Sequence, residues 1–336
     1  MLMQKDFFSL KKHNTFGLDV KTRCFFEFSN LQELQHFCKN TVVQQPIFIL
    51  GGGSNVLFTK DFPGTVIHPR NTGIQIVKET ETQVFVSVAA GEIWDDFVQW
   101  AVSHNYYGVE NLSIIPGHVG ASAIQNIGAY GVEAKDVIHT VQTINLQTGE
   151  LRTFSNAECL FDYRKSVFKS PDFQLFCVYE VTFVLSKIPR YTCNYGALSH
   201  ELKTTPHLSL ELVRNTVIRI RELKLPDYTK IGNAGSFFKN PVIPLEQFKI
   251  LQKSFPHIVH YPASENHVKI AAAWLIENLG CKQFQYGDAR VYEKQALVLI
   301  NAGNARAQDI LSLAQKIQNH VHKASGIMLE PEVIYV

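Results

Sequence analysis

The sequence predicts an α+β fold of two or three domains, and three observations carry the prediction. The 336-residue chain is 46% hydrophobic and 18% charged, which leaves enough apolar side chain for a sizeable core. Short β-branched and aromatic runs alternate irregularly with amphipathic helical runs. Two glycine-rich stretches break that pattern, and residues 189–206, rich in Pro, Thr, Ser and His, read as a linker.

In chain order, a segment ending at Asn14-Thr15-Phe16-Gly17 leads to Leu31, Leu34, Phe37 and Cys38, whose spacing predicts a short helix. Residues 46–50 predict a fully buried strand that runs into Gly51-Gly52-Gly53-Ser54-Asn55. A P-loop would end in Gly-Lys-Ser/Thr, and a dinucleotide fingerprint would need glycine where Val56 stands. Two readings remain: a hairpin turn, or a nest of backbone N–H donors suited to a pyrophosphate, with Ser54 and Asn55 adding side-chain donors. Strands follow at 64–68 and 84–88, then a helix with Trp94, Phe97, Val98, Ala101 and Val102 on one face.

The second glycine-rich stretch, 114–131, has no apolar periodicity. It is either an irregular core loop or a surface of small residues that packs on a flat ring, with Ser122, Gln125 and Asn126 hydrogen-bonding that ring. A hairpin is expected over 141–154 and a strand over 175–185. Arg164, between Tyr163 and Phe168, is either a stacked surface group or a bidentate carboxylate clamp. A helix over 210–223 stops at Pro226. Beyond it lie a helix with Leu245, Phe248, Leu251 and Phe255, an alanine-rich helix over 268–279 and a strand over 296–301. A helix through Ile310, Leu313, Ala314, Ile317 and Val321 and a terminal strand over 326–335 complete the chain, with Glu330 held extended by Pro331.

Composition removes several function classes. A net charge of +2 offers no footprint for nucleic acid or a membrane surface. Six scattered cysteines without a C-x-x-C pair point to reduced thiols, and the histidines form neither H-E-x-x-H nor a finger spacing, so no metal is expected. Without a signal peptide or an apolar run of membrane length, the expectation is a cytoplasmic protein with no membrane insertion and no obligate protein partner.

The stretch Gly232-Asn233-Ala234-Gly235-Ser236-Phe237-Phe238-Lys239-Asn240-Pro241 is neither a good helix nor a good strand. It sets one hydroxyl, Ser236, between permissive glycines and two rings that exclude water. By itself it is a tight turn or a reaction site.

Five segments in order resemble the UDP-N-acetylenolpyruvoylglucosamine reductase family across nearly the whole chain. They are 51–55, 115–131, Tyr163-Arg164-x-Ser166-x-Phe168-Lys169, 232–241 and Leu329-Glu330-Pro331-Glu332-Val333. The resemblance implies a two-lobed FAD-binding domain of vanillyl-alcohol-oxidase (PCMH) type at 15–188, with lobes at about 15–66 and 67–188. It also implies a linker at 189–206 and an α+β substrate-binding domain at 207–336. It further implies NADPH reducing FAD, and hydride passing from the reduced flavin to an enolpyruvyl ether. Ser236 is then the proton donor, and Arg164 and Glu330 polarise the carboxylate; Glu330 must be buried to hold a proton. FAD falls to Gly51, Gly52, Gly53, Ser54, Asn55, Pro116, Gly117, Ser122, Gln125, Asn126 and Gly128, and the sugar nucleotide to Tyr195, Lys224 and Asn233. No histidine stands in the first glycine loop, which implies non-covalent FAD. Where many relatives have His-Ala-Asn, this chain has Gln295-Ala296-Leu297. A flavin oxidase of the same fold and a non-catalytic nucleotide-sugar-binding protein are the alternatives.

Overall fold

The computed structural model describes residues 4–40 and 43–336, and the chain forms two compact units. Unit 1 holds the N-terminal residues to Phe8, Thr22–Gly52 and Phe62–Glu222; unit 2 holds Ser9–Lys21, Gly53–Asp61 and Leu223–Val336.

Unit 1 begins with β1 (Gln4–Ser9), β2 (Lys21–Phe28), α1 (Leu31–Asn40) and β3 (Ile47–Ile49). After β4 (Val56–Leu57), which belongs to unit 2, comes β5 (Phe62–Pro69). These strands form one sheet in the order β1-β2-β5-β3. The face of α1 is where its periodicity puts it: Leu34 and Phe37 are buried with Phe26, Phe28 and Ile67, and Phe26 stacks on Phe37 at 3.9 Å. The strand expected to be fully buried is only half-buried, because β3 is the sheet edge.

A second, antiparallel sheet contains β6 (Ile74–Glu79), β7 (Gln83–Ala89), β10 (Ile138–Asn145), β11 (Leu151–Ser155) and β12 (Phe176–Ser186) in the order β11-β10-β12-β7-β6. On it pack α2 (Trp94–Ser103) and α3 (Val119–Gln125), and a small hairpin pairs β8 (Gly128–Ala129) with β9 (Val132–Glu133). The expected linker is not one. Residues 189–206 contain α4 (Gly196–Leu202), whose Leu198 and Leu202 are buried with Val213, Val217 and Ile220 of α5 (Leu210–Lys224). That packing places α5, as far as Glu222, in unit 1 rather than in a substrate domain starting at 207.

In unit 2, β13 (Gly232–Ser236) opens a sheet that continues with β19 (Val298–Asn301), β18 (Ala289–Val291) and β17 (Gln285–Tyr286). A smaller sheet has β14 (Val242–Pro244), β16 (His267–Ile270) and β15 (His260–Ser264), accompanied by α6 (Leu245–Ser254), α7 (Ala272–Asn278) and α8 (Ala307–Ser325). The helix expected from 268 starts only at Ala272, since His267–Ile270 hydrogen-bonds to strands on both sides. The expected terminal strand shrinks to β20 (Ile334–Tyr335), parallel to β4. Helix α8 begins where the Asp309 carboxylate accepts the Arg306 N–H and ends at Gly326 in the left-handed region, so its buried stripe of Ile310, Leu313, Ile317 and Val321 is framed by both signals.

Candidate active site

In unit 1 the two glycine-rich stretches meet backbone to backbone. A methyl group on Gly52 would lie 2.9 Å from Gly117 Cα, and one on Gly51 3.5 Å from Ala121 Cβ. Gly117, after Pro116, has φ +126°, which glycine alone adopts comfortably. The N–H groups of Gly51, Gly52, Gly117 and His118 donate to no described residue. This donor set suits an anion such as the pyrophosphate of FAD. The His118 ring borders the same glycines, with Nδ1 buried and without a partner among the described residues. Burial first, and the neighbouring His68 second, lower its pKa to about 4, so a neutral imidazole stands there.

The polar side chains of the second stretch behave differently from expectation. Ser122 Oγ donates to Val119 O at 2.6 Å. Asn126, in the left-handed region, donates to Glu133 Oε2 at 2.8 Å and Asp162 O at 2.9 Å and accepts the Lys135 N–H at 3.0 Å. Both side chains hold the loop, Asn126 through three bonds and Ser122 through its hydroxyl proton, which leaves the Ser122 oxygen as an acceptor. Gln125 accepts Lys169 Nζ at 2.6 Å through Oε1 and keeps its NH2 group.

Arg164 sits at φ +55° in a turn closed between Asp162 and Lys165. Its guanidinium donates to Asn126 O at 3.3 Å and Gly128 O at 2.9 Å. A Cβ at position 128 would come within 3.2 Å of Arg164 Nη1, so glycine there makes room for the cation. Arg164, Gln125, Asn126 and Gly128 are thus brought together.

Sequence reasoning missed Arg221. Its Nε is buried without a partner among the described residues, and burial lowers its pKa, opposed by Tyr130 and Asp95 and aided by Arg164. Seven residues earlier, Arg214 forms a bidentate pair with Asp95 at 2.7 and 2.8 Å, and Asp95 also accepts the Ile114 N–H at 2.6 Å. The available signal was two arginines on the face of α5 that carries Val213, Val217 and Ile220.

In unit 2, Ser236 ends β13, and the stretch expected to be neither helix nor strand is a bulged strand. Asn233 pairs with Ile300 and Ser236 with Val298, so three steps oppose two. A bulge bends the strand and re-aims its side chains. Gly232 is required because a Cβ would fall 2.4 Å from Phe16 O, whereas Gly235 has open space and φ +67°. Phe237 and Phe238 are fully buried, with rings 5.2 Å apart. The half-buried Ser236 hydroxyl makes no hydrogen bond to a described residue.

Asn233 is 5% exposed, and its amide is committed: Nδ2 donates to Ile231 O at 2.8 Å and Oδ1 accepts the Gly235 N–H at 3.0 Å. It shapes the bulge. Gly53 is locked against His13, and Asn55 donates to Glu332 O at 3.1 Å. Asn55 therefore ties the loop to the C-terminal segment, while Ser54 remains half-buried beside it. Glu330 is held next to the serine strand, since Lys239 N donates to Glu330 O and Glu332 N to Phe237 O. Its side chain is 74% exposed and paired with Lys239 at 3.3 Å, which corrects the expectation of burial: the backbone pairing turns the carboxylate outward. Lys224 is exposed at the end of α5, and Tyr195, at the start of α4, lies over Gly131.

An open groove of about 960 Å³ along α8 is lined by none of the expected site residues. Among the described residues no group of His, Cys, Asp or Glu is arranged for a metal ion, and no helix is long and apolar enough to cross a membrane.

A family model described as UDP-N-acetylenolpyruvoylglucosamine reductase, C-terminal domain, matches residues 226–336, and an FAD binding domain model matches 23–155. UDP-N-acetylenolpyruvoylglucosamine reductase of Bacteroides fragilis is 46% identical over 98% of this chain and 99% of its own. The Flavobacterium johnsoniae enzyme of that name is 44% identical over 97% of both. In fold, the chain is similar to the reductase of Thermus caldophilus, with TM-score 0.70 and 23% identity over 100% of this chain and 98% of the other. The chain therefore belongs to the UDP-N-acetylenolpyruvoylglucosamine reductase family.

Proposed function

We propose that this chain reduces the enolpyruvyl ether of UDP-N-acetylglucosamine-enolpyruvate to the lactyl ether of UDP-N-acetylmuramate in the cytoplasm, with Ser236 as the proton donor. The observation that carries the assignment of the serine is its uncommitted hydroxyl on a bulged strand backed by two buried phenylalanines. FAD, reduced by NADPH, supplies the hydride.

The residues of unit 1 hold and bias that chemistry. The amides of Gly51, Gly52, Gly117 and His118 receive the pyrophosphate, and Gln125 keeps an NH2 donor for the ring. Arg164, already oriented by two carbonyls, attracts the substrate carboxylate, and Arg221 adds a second cation in the same unit. A cation at this position favours the negative charge that develops as the double bond is reduced.

Ser236 Oγ–H delivers the proton to the carbon alpha to the carboxylate. A serine hydroxyl is a weak acid, so it serves only a strongly basic carbon and only from a fixed position. The bulge, Asn233 and Phe237 fix it. Glu330 is exposed and paired with Lys239 in the unliganded chain, so it polarises the carboxylate only once bound substrate covers it and it takes up a proton, while Lys224 and Tyr195 take the phosphate and the nucleotide sugar.

Anaerobic stopped-flow mixing tests the reading. NADPH should bleach the flavin, and the enolpyruvyl UDP-sugar should restore its colour faster than oxygen does. A colourless protein that FAD cannot reconstitute, or faster reoxidation by oxygen, overturns it.

A further inference from the structure

Asn111 lies in the turn Glu110–Leu112 and is 1% exposed. Its Nδ2 donates to two backbone carbonyls far apart in sequence: Tyr130 O at 2.9 Å and Thr192 O at 2.7 Å. Both partners are acceptors, so only an NH2 group satisfies them, and the orientation of the amide is forced. That orientation leaves Oδ1 buried without a partner among the described residues, so the side chain is held by its two donated bonds.

The turn holding Asn111 is itself fixed. Trp94 Nε1 donates to Leu112 O at 2.8 Å, Ser113 Oγ to Glu110 O at 2.6 Å and Gly108 N to Glu110 Oε2 at 2.8 Å. On the receiving side, Tyr130 and Gly131 both have positive φ and form the tip of the β8–β9 hairpin. A methyl on Gly131 would stand 3.4 Å from Thr192 Cγ2 and 3.4 Å from Tyr195 Cβ. Tyr130 packs on the α4–α5 cluster together with Tyr191, Cys193 and Ala197. One carboxamide therefore joins the hairpin next to Gly128 to the start of the segment that carries Tyr195.

We propose that Asn111 is a positioning residue for the UDP-sugar step. Its NH2 group fastens the base of the Tyr195 segment to the Tyr130–Gly131 turn, so that Tyr195 is presented to the sugar nucleotide from a fixed point. The inference rests on the reading of Tyr195 as a substrate residue.

The test uses the flavin-loaded enzyme with Asn111→Asp, which keeps the shape but opposes carboxylate oxygens to two carbonyls, and Asn111→Leu, which removes both donors. KM for the enolpyruvyl UDP-sugar should rise about tenfold or more, while flavin content and the rate of flavin reduction by NADPH stay within about twofold. Amide hydrogen exchange over 191–196 should accelerate in both variants. Unchanged KM with unchanged exchange overturns the proposal, as does an equal loss in both half-reactions. Should either variant lose its flavin, Gly131→Ala, which strains the left-handed turn whose Tyr130 carbonyl accepts the Asn111 NH2 while leaving Asn111 itself in place, must reproduce the KM split or the proposal fails. A wild-type enzyme that does not reduce the UDP-sugar sinks the functional reading alone, because the exchange measurement still decides whether Asn111 holds the segment.

Discussion

The two units use their polar residues in opposite ways. In unit 1, Ser122, Asn126 and Arg164 all hydrogen-bond to backbone of their own unit, and much of what is left for a ligand is backbone, the amides of Gly51, Gly52, Gly117 and His118, beside the Gln125 NH2 group. In unit 2, the serine strand is paired along β19 and the groups offered beside it are side chains, the Ser236 hydroxyl and the exposed Lys224. A cofactor that stays bound is matched by rigid backbone donors, which need no reorganisation. A substrate that must enter, react and leave is met by side chains.

The largest test of that contrast is Ser236→Ala. Flavin reduction by NADPH should stay within about twofold, while the reduction of the enolpyruvyl sugar slows by at least the 10²–10⁴-fold typical of a lost general acid. Stopped-flow absorbance of the flavin reads both steps. Equal slowing of the two would mean that Ser236 binds ligand and donates no proton.

Next in size is Asp95→Asn. In the folded protein burial alone would raise the Asp95 carboxyl, but hydrogen bonds from Arg214 and Ile114 outweigh it and hold it below the usual carboxylate range. The pair therefore contributes stability above the unfolded carboxyl pKa of about 3.9, and that contribution is lost as pH falls through the folded value. The neutral variant leaves Arg214 buried without its countercharge. Because Asp95 is 24% exposed, we expect the lower end of the range for a broken buried pair, about 3 kcal/mol, in urea unfolding of the holoenzyme at pH 7. An effect under about 1 kcal/mol would show that the cations of α5 do not depend on this anchor.

What the sequence made legible follows the same division. Helices with clear periodicity, such as α1, α2 and α8, are where Leu34, Phe97 and Ile317 predict them, since a buried stripe leaves a pattern. Glycines at 51, 52, 117 and 128 were readable as places of close approach. The roles of Asn126, Asn233 and Ser122 were not, because a polar residue in a glycine-rich loop reads the same whether its partner is a ligand or a distant carbonyl. Residues 189–206 looked like a linker because α4 is too short to show periodicity. Arg221 escaped because nothing in one helix announces which of its arginines is buried.

His118 offers a smaller, pH-dependent probe of the amide cradle. Burial, with His68 second, holds its pKa at about 4 in the folded protein, against about 6.5 when unfolded. Between those values the unfolded chain binds the extra proton, so stability falls as pH drops from about 6.5 toward 4. At about 1.4 kcal/mol per pH unit the full window is roughly 3 kcal/mol, and partial exposure reduces our expectation to about 2. His118→Gln should flatten that part of the stability–pH curve. An unchanged slope would assign the acid sensitivity elsewhere.

The smallest expected effect separates the two glycines of the serine strand. Gly232 has a steric reason, the Phe16 carbonyl 2.4 Å from any Cβ, while Gly235 has only its backbone angle, with no atom within 4 Å. Gly235→Ala should therefore cost about 1–2 kcal/mol in urea unfolding, the penalty of a left-handed alanine. Yet Gly235 precedes Ser236 within the bulge, and relaxing its φ toward negative values would turn the hydroxyl. The substrate half-reaction should then slow by more than the loss of stability accounts for, with flavin reduction unchanged. A variant that loses stability but keeps the full rate of substrate reduction would show that the bulge holds the strand together without aiming the serine.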